Sequence, residues 1–557
     1  MNLRKVGLTN LITFLMSLIA TLLLIYRYQI LNGFEFLLGS NTYDNTIQTT
    51  ILEHWFNVFR GFNSWSEVSY FYPYSKTIAQ TDAYFLISIF YIPFRLLKID
   101  PYLSTELAGV CLKIIGFFSA YIFSRLVINL KHNYATLIAV LFTLNNAMTI
   151  HGYRIQLATV AFLPVFAILL YLTIKYLNLN NRKLYVIYGS LFSFLFGLWC
   201  FTCLYASYFF FIFMTIFLFI NILINFSKIA FLFNQIKKFY IYTFFIVLTF
   251  AISLLPFITT FYPKSKESKP RSLDAIISST VPIEDLMQVG STNLFNYPVF
   301  QRLIGFVSPN YMPATNWEYY NTGFTIIVSI LFLFALIKSL KSFKTLQNNV
   351  VYQLGLTSFI FIFLIINVFE KSLWVYVYHY FPGGKALGVI STSLIFLAFP
   401  IYVIVVYFIS HTIRNRLILF PLILILVVSE INSPPLKLDR RKEIKMNFTV
   451  SPPLMTCNSF YVTGWYNQET NPGYWEWFNN QYAHNVSAML LSQKLHIPTL
   501  NGMASFIPKD YDLVGPNGTA FSPNISEYYT RISKYIGVQN LDNVCLFNLN
   551  TKKWAAH

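Results

Sequence analysis

Residues 204–225 read LYASYFFFIFMTIFLFINILIN, a run without a single Asp, Glu, Lys or Arg. A helix of about 20 apolar residues is long enough to cross the hydrocarbon core of a bilayer. The rest of the chain shares this character, since 56% of its residues are hydrophobic, 19% are aromatic and only 11% are charged. Soluble domains contain roughly 25% charged residues. The sequence therefore predicts an all-α polytopic membrane protein.

Further apolar stretches have the length and composition of this one, which gives about eleven predicted transmembrane helices. The others are 8–27, 105–128, 134–151, 157–175, 184–201, 239–262, 323–340, 351–370, 390–410 and 415–431. One more candidate, 84–97, is shorter and contains Pro93 and Arg95. It either crosses the membrane or lies in the interface as a re-entrant or surface helix.

The distribution of basic residues decides between these two topologies. If 84–97 does not cross, the predicted cytoplasmic loops contain basic residues but no Asp or Glu. These basic residues are Arg4, Lys5, Arg125, Lys131, Lys175, Arg182, Lys183, Lys228, Lys237, Lys238, Lys338, Lys341, Lys344, Arg414 and Arg416. If 84–97 crosses, the later basic loops move outside, against the positive-inside rule. We therefore predict an interfacial helix at 84–97, a cytoplasmic N-terminus and an extracytoplasmic C-terminus.

The net charge of +18 is spread over these short loops and is not gathered on one soluble module. This distribution indicates that the basic residues interact with membrane lipids, and it argues against a nucleic-acid-binding protein. Three large segments lie outside in the predicted topology. They are loops 28–104 and 263–322 and the tail 432–557. The tail alternates short apolar stretches with turn residues, which predicts a small α/β domain after a membrane domain of residues 1–431.

Cys457 and Cys545 both lie in this tail, where they could form a disulfide in an oxidising compartment. Cys200 and Cys203 form a C-x-x-C pair inside the membrane domain, but no second pair or His cluster accompanies them. A zinc site is therefore not expected.

The first outside loop carries carboxylates in an aromatic setting. Asp44 and Glu53 follow the first span, and Asp82 precedes the interfacial helix. A carboxylate in a loop is ordinarily just solvated, but aromatic residues typical of a membrane interface surround these three. Partial desolvation at that boundary favours a carboxylate as a general base. These residues, with His54 next to Glu53, are candidates for catalysis and substrate binding.

Basic residues on the predicted outer face are the second candidate group, because the positive-inside rule disfavours them there. They are Arg95, Lys98, Arg154, Lys264, Lys266, Lys269 and Arg271. They form either an ordinary solvated loop surface or a phosphate-binding site, since Arg offers a fork of donors that matches phosphate oxygens. His151 and Arg154 lie in a tight turn that borders the membrane, where a lipid-linked phosphate would lie.

The predicted spans and loops follow one order along the chain: a first span, a long outside loop with an early acidic residue, further spans and a second outside loop. Several short stretches of sequence accompany this order. They are Tyr43-Asp44, Glu53-His54-Trp55, Phe71-Tyr72-Pro73, Asp82 to Arg95, His151 to Gln156 with Pro164, Trp317-Glu318-Tyr319, Phe381 to Ala386 with Lys385, and Ile497 to Gly502 with Pro508. Together they resemble the GT-C class of glycosyltransferases, which use polyprenyl-phosphate sugars. The nearest resemblance is to a widespread bacterial family of GT-C-like membrane proteins.

The resemblance implies transfer of a sugar from a polyprenyl-phosphate donor on the periplasmic face of a bacterial inner membrane. The acceptor would be an envelope glycan, such as O-antigen or another lipopolysaccharide component, or a protein. Asp44 would be the base toward the acceptor hydroxyl, with Glu53 as the second choice. The basic groups would hold the lipid phosphate, and Tyr72, Glu318 and Lys385 would bind substrate. The transfer would invert the anomeric centre and would need no metal or other cofactor.

Other functions fit parts of the sequence. A transporter or flippase for lipid-linked glycans usually shows internal repeats and charges at mid-membrane depth, whereas the spans here are clean apart from Lys113 and nearby Glu106. A noncatalytic membrane assembly factor would use the tail to bind a partner. An O-antigen ligase or polymerase would act on a lipid diphosphate glycan. A bound lipid phosphate that contacts Asp44 and the outer basic residues would discriminate among them.

Overall fold

A computed structural model of the chain describes residues 7–40, 44–267, 270–311, 321–341, 343–453, 456–463, 474–508, 543–549 and 551–555. These residues are mostly helical. The helices are α1 Leu8–Leu31, α2 Asp44–Phe59, α3 Phe85–Leu96, α4 Pro101–Leu126, α5 His132–Leu144, α6 Asn146–Ile150, α7 Leu163–Asn178, α8 Arg182–Thr202, α9 Leu204–Ile224, α10 Phe226–Lys238, α11 Tyr240–Glu267, α12 Leu273–Ile277, α13 Asn296–Val307, α14 Ile326–Leu340, α15 Phe343–Asn348, α16 Val350–Ile365, α17 Trp374–Tyr380, α18 Ser393–Thr412, α19 Arg416–Ser429, α20 Arg440–Phe448 and α21 Tyr474–Leu495.

Short strands make up the rest of the regular structure. They are β1 Phe36–Leu37, β2 Gly39–Ser40, β3 Val281–Pro282, β4 Ile366–Asn367, β5 Leu436–Asp439, β6 Ser459–Thr463, β7 Val544–Asn548 and β8 Lys553–Ala555. β5 pairs antiparallel with β1 and parallel with β2, and β7 pairs parallel with β6 and antiparallel with β8. β3 and β4 form a separate parallel pair.

Within the described residues, 7 helical segments are long and apolar enough to cross a membrane. They are α1, α4, α8, α9, α11, and the helices α7 and α18 with the 3₁₀ turns that precede them. α5 and α6 add an eighth if this pair, bent by 41°, is one span. α14, α16 and α19 coincide with the other three predicted spans but have only 15, 16 and 14 residues. At 1.5 Å per residue they are about 21 to 24 Å long, so the count of eleven spans stays a prediction.

The predicted interfacial segment 84–97 contains a single short helix, α3, of 12 residues. Its length of about 18 Å is well below the roughly 30 Å of a hydrocarbon core. Pro93 lies inside the helix, and Lys98, just after its end, has a left-handed backbone with φ 63°. Alone, α3 is therefore too short to cross a bilayer.

The chain forms two compact units. The first contains Met1–Ile30, Gly109–Leu255 and Pro270–Pro435, and the second contains Leu31–Ala108, Pro256–Lys269 and Leu436–His557. The chain leaves the first unit for the last time at Pro435, and the division into a membrane domain 1–431 and a tail domain 432–557 stays a prediction. The tail from Leu436 thus shares a compact unit with residues 31–108, which include most of the predicted first outside loop.

α18 is the central helix of the first unit, because its residues from Ser393 to Val406 are all buried. It packs against α5, α9, α14 and α16. A Cβ atom on Gly355 of α16 would lie 2.1 Å from Cδ1 of Ile404, so a larger residue there would require the Ile404 side chain to move. Close packing through small residues is the usual way for helices to associate in a membrane.

The described part of the tail contains β5, α20, β6, α21, β7 and β8. A disulfide bond joins Cys457 and Cys545, which bring the starts of β6 and β7 together. Phe460, Val462 and Phe547 pack in the same apolar cluster as this disulfide, with Leu491 of α21. The cluster holds the small sheet against α21.

Candidate functional site

α2 carries the two predicted catalytic carboxylates, and it is an unusually polar helix for a buried one. Its buried polar side chains are Asn45, Thr46, Gln48, Thr49, Thr50, Glu53, His54 and Asn57. A buried polar group that loses its hydrogen bonds costs about 1–3 kcal/mol. The position of α2 is therefore determined by the polar partners that surround it in the second unit.

Two of these partners come from the tail. The carboxylate of Glu443 in α20 accepts hydrogen bonds from the Tyr102 hydroxyl at 2.9 Å and from Thr46 at 3.5 Å. Asn57 donates to the backbone carbonyl of Gln493 in α21 at 2.9 Å. These contacts connect both halves of α2 to helices that follow it by several hundred residues.

Glu53 belongs to a buried ion pair. Its Oε1 accepts hydrogen bonds from the Tyr91 hydroxyl and from Nε of Arg95, both at 2.5 Å, and Nη2 of Arg95 donates to Oε2 at 3.2 Å. Nη1 of Arg95 donates to the carbonyl of Ile99, just beyond the end of α3. The side chain of Glu53 is only 6% exposed. The structure thus pairs the second-choice base with one of the predicted phosphate ligands.

Asp44 is the first residue of α2 and is half-buried, so part of it reaches solvent. The next residue fixes this end of the helix, because Nδ2 of Asn45 donates to the Leu38 carbonyl at 2.9 Å. A Cβ atom on Gly39, which has φ +97°, would lie 1.8 Å from Oδ1 of Asn45. Only glycine fits there. Asp44 therefore stands at a firmly held helix end.

His54 is fully buried beside Glu53. Its Nε2 lies 3.2 Å from the carbonyl of Trp65, which can only accept, so Nε2 carries the proton and Nδ1 accepts from Asn63 at 3.3 Å. Burial lowers the pKa of His54 to about 4. The imidazole is therefore neutral at pH 7, and it supports the loop at Asn63 to Trp65 without providing a positive charge.

This lowered pKa predicts a pH dependence of stability. The folded-state pKa of about 4 lies below the ordinary value of 6.5. As the pH falls, His54 therefore takes up a proton in the unfolded chain before it does so in the folded chain. His54 should therefore lower the free energy of unfolding by about 3 kcal/mol as the pH falls from 6.5 to 4. Unfolding in detergent should show a weaker pH dependence for His54→Gln than for the natural chain. The exposed His379 is the matched control, and an equal slope for His54→Gln and His379→Gln would contradict the assignment.

Two stretches that carried the family resemblance contact each other in the second unit. The backbone N–H groups of Phe71 and Tyr72 donate to the carbonyls of Asn501 and Thr499 at 3.1 and 3.0 Å. A Cβ atom on Gly502 would lie 2.4 Å from Cδ1 of Phe71, so the glycine permits this contact. The side chain of Tyr72 is 39% exposed beside it. No pattern in the sequence indicates that these stretches are neighbours.

The other predicted residues of this unit differ in their surroundings. Lys264 is buried and forms an ion pair with Glu267 at 2.5 Å, which neutralises its charge. Lys266 is exposed, and its Nζ lies 4.4 Å from the ring centroid of Tyr262. Asp82 is half-buried, whereas Lys98 is exposed. Lys266 and Lys98 thus keep the solvated positions of ordinary surface lysines.

In the first unit, the structure brings Arg271 and Lys385 together. The Tyr378 hydroxyl donates to the backbone carbonyl of Arg271 at 3.0 Å, and Nζ of Lys385 lies 5.4 Å from the centroid of the Tyr378 ring. A Cβ atom on Gly388 would lie 2.4 Å from Cζ of Arg271. The guanidinium group therefore fills the space that glycine leaves, and the Gly388 N–H donates to the Tyr205 hydroxyl at 2.7 Å.

The remaining predicted residues of this unit lie in the turn between α6 and α7. His151 is buried, and Arg154 is half-buried with its Cζ 5.4 Å from the ring centroid of Tyr153. Glu318 and Lys269 lie outside the described residues. Their predicted roles remain predictions.

Asp285 is a buried carboxyl group that is not among the predicted site residues. It is 1% exposed in the 3₁₀ turn Ile283–Met287, and its Oδ1 accepts a hydrogen bond from the Tyr311 hydroxyl. Burial raises its pKa to about 6. Because Glu284 precedes it, the pair resembles a solvated acidic loop. The only signal was the apolar residues on both sides, from Val281 to Ile283 and at Leu286.

No group of three or more His, Cys, Asp or Glu side chains placed to hold a metal occurs among the described residues. The sequence does contain an Asp-x-Asp triplet, Asp510-Tyr511-Asp512, which lies outside them. The expectation of metal-independent transfer therefore stays a prediction.

No family model matches this chain, and a search of curated proteins finds no match. Among solved structures it is similar to the oligosaccharyltransferase of Archaeoglobus fulgidus. The apo form gives a TM-score of 0.42 at 14% identity and covers 88% of this chain and 64% of that one. The AglB complex with an inhibitory peptide and a dolichol-phosphate gives 0.43 at 13% identity with the same coverage. The chain spans less than two thirds of the length of these proteins.

Proposed function

We propose that this protein is a membrane glycosyltransferase of the GT-C type that takes its sugar from a polyprenyl-phosphate donor, with Asp44 as the general base. One observation carries the choice of base. Asp44 is half-exposed at the fixed end of α2, whereas Glu53 is buried and bound on both oxygens by Arg95. A general base must reach an incoming hydroxyl group, and that geometry favours Asp44.

The reaction is a single displacement. The acceptor oxygen forms a bond to the anomeric carbon while its proton passes to the Asp44 carboxylate. The bond between that carbon and the phosphate oxygen breaks, and polyprenyl phosphate leaves with the electron pair, which inverts the anomeric centre. In the first unit, Arg271, Lys385 and Arg154 are the candidate ligands of the donor phosphate, because cationic side chains stabilise its negative charge.

The acceptor is a glycan of the cell envelope, such as O-antigen or another lipopolysaccharide component, or a protein. Tyr72 supports an acceptor role for the segment at Phe71 to Pro73, since an exposed aromatic ring offers an apolar face and a hydroxyl group to a sugar. The Cys457–Cys545 disulfide favours an oxidising compartment for the tail, in line with the periplasmic side of an inner membrane.

A reconstituted assay tests this function. The purified protein in liposomes is given synthetic polyprenyl-phosphate sugars together with envelope glycans extracted from cells that lack the gene. Release of free polyprenyl phosphate with a matching gain of sugar on the acceptor supports transfer, and a chelator arm tests independence from metal. Movement of the donor across the bilayer without its consumption would instead identify a flippase. If neither transfer nor movement of the donor occurs, the assembly-factor function remains.

Arg271→Ala is expected to weaken binding of polyprenyl phosphate by roughly tenfold or more, because a hydrogen bond to a charged group contributes about 1.5–3 kcal/mol. Gly388→Ala should weaken it too, since the added Cβ would displace the guanidinium group. Arg154→Ala tests the turn between α6 and α7 in the same assay. The exposed Lys371, which was not predicted to bind phosphate, provides the control, so Lys371→Ala should bind normally. Unchanged affinity in the Arg271 and Gly388 variants would remove Arg271 from the phosphate site.

A further inference from the structure

The first unit contains a groove of about 810 Å³ formed by α7, α9, α10 and α16. Its walls are mainly apolar and include Ile174, Phe211, Met214 and Leu218, while Lys228 is the charged residue among the groove residues. Ligand pockets in proteins typically measure about 300–1,000 Å³ and combine apolar walls with a few polar groups. None of the predicted site residues lines this groove.

α10 gives this groove its chemical character. It joins α9 and α11, both long enough to span a membrane, and none of its residues is buried. Phe226, Phe231 and Phe233 are 70%, 53% and 56% exposed, and the helix ends in Lys237 and Lys238. An amphipathic helix with aromatic and basic residues characteristically lies in the membrane interface. Its lysines, with no acidic residue between 225 and 240, place it on the predicted cytoplasmic side.

We propose that the groove binds an anionic phospholipid of the cytoplasmic leaflet, with the headgroup phosphate at Lys228 and an acyl chain along α9. Nζ of Lys228 lies 3.4 Å from the Gln347 carbonyl, a single long hydrogen bond for a group with three donors. Lys228 is also exposed, so its remaining donors can reach a phosphate. Basic pockets between transmembrane helices on the cytoplasmic side bind such headgroups.

The groove is separate from the proposed donor phosphate site in the same unit. Tyr205, which contacts Gly388 beside Arg271, lies at the start of α9, and Asn221, which lines the groove, lies near its end. At 1.5 Å per residue these positions are about 24 Å apart along the helix. One phosphate cannot occupy both places, so this ligand is a structural lipid and does not depend on the proposed glycosyltransferase activity.

Native mass spectrometry of the full-length protein, exchanged into phosphatidylglycerol or phosphatidylcholine nanodiscs, tests the proposal. The natural chain should retain phosphatidylglycerol and release phosphatidylcholine. Lys228→Gln and the groove-filling Met214→Trp should each lower the retained phosphatidylglycerol at least fivefold. Lys237→Gln, which changes a lysine of α10 that does not line the groove, should retain it normally, and so should the charge-conserving Lys228→Arg.

Three outcomes would overturn the site. Equal retention by the natural chain, Lys228→Gln and Met214→Trp would show that the groove is not occupied. Equal retention of phosphatidylcholine would remove the role of charge. Displacement of phosphatidylglycerol by polyprenyl phosphate, in a manner that depends on Lys228, would assign the groove to the donor lipid. Failure of the glycosyltransferase assay would affect none of these measurements.

Discussion

Replacing Asp44 by Asn is expected to lower the rate of sugar transfer by about two to four orders of magnitude, the usual effect of losing a general base. Asn has nearly the same shape as Asp but cannot take the acceptor proton. The hydrogen bond from Asn45 to Leu38 that fixes this end of α2 does not involve the Asp44 side chain. The variant should therefore fold, insert into the membrane and bind polyprenyl phosphate with normal affinity.

The measurement is the single-turnover rate with saturating donor, alongside donor affinity from a separate binding assay. Asp274→Asn, which changes an exposed carboxylate on α12, is the control for loss of a negative charge. Glu53→Gln should slow transfer less than Asp44→Asn does. Near-normal transfer by Asp44→Asn, with none by Glu53→Gln protein that is shown to be folded and to bind the donor, would reverse the two roles. Normal transfer by both would count against the glycosyltransferase function itself.

Breaking the ion pair between Glu53 and Arg95 is expected to lower the free energy of unfolding by about 3–5 kcal/mol, because one charge then stays buried without its partner. Glu53→Gln leaves the Arg95 guanidinium near Tyr91 without a counter-charge, and Arg95→Met leaves the carboxylate in the same condition. The double variant should recover much of the loss. Unfolding in detergent of the four proteins forms a double-mutant cycle that isolates the pair.

Lys98→Met is the matched control, since Lys98 lies three residues after Arg95 but is exposed. It should leave stability unchanged. If Arg95→Met instead keeps full stability and loses donor affinity, Arg95 is a phosphate ligand and its pairing with Glu53 is secondary. The cycle therefore separates a structural role of Arg95 from the substrate-binding role that its position outside the membrane predicted.

The helices of the membrane region could be predicted from the sequence because burial in lipid requires long apolar runs, and α9 and α11 follow this rule closely. α2 could not be predicted in this way. A helix with polar residues on most of its surface lacks the apolar stripe by which amphipathic helices are recognised. Its polar side chains are stabilised by residues distant in the sequence, such as Glu443 and Gln493.

Only the types of residue in the candidate site could be predicted from the sequence, and their arrangement could not. The carboxylates and cations could be selected from the sequence as candidates, but Asp44 and Glu53 lie on α2 and Arg95 lies on α3, and their pairings depend on tertiary contacts. Glu53 and Arg95 are 42 residues apart, and no local pattern distinguishes their ion pair from two independent charges. The proximity of Arg271 to Gly388 depends in the same way on packing between distant loops.

The position of β5 has a consequence for how the protein is made. This strand pairs with both β1 and β2, and Glu443 and Gln493, which hold α2, follow it in the chain. A ribosome that adds about 5–20 residues per second needs roughly 20–80 s to travel from β2 to β5. Throughout that time the polar side chains of α2 have been synthesised while these partners have not. The predicted first outside loop should therefore mature late in biogenesis, after most of the chain has been synthesised.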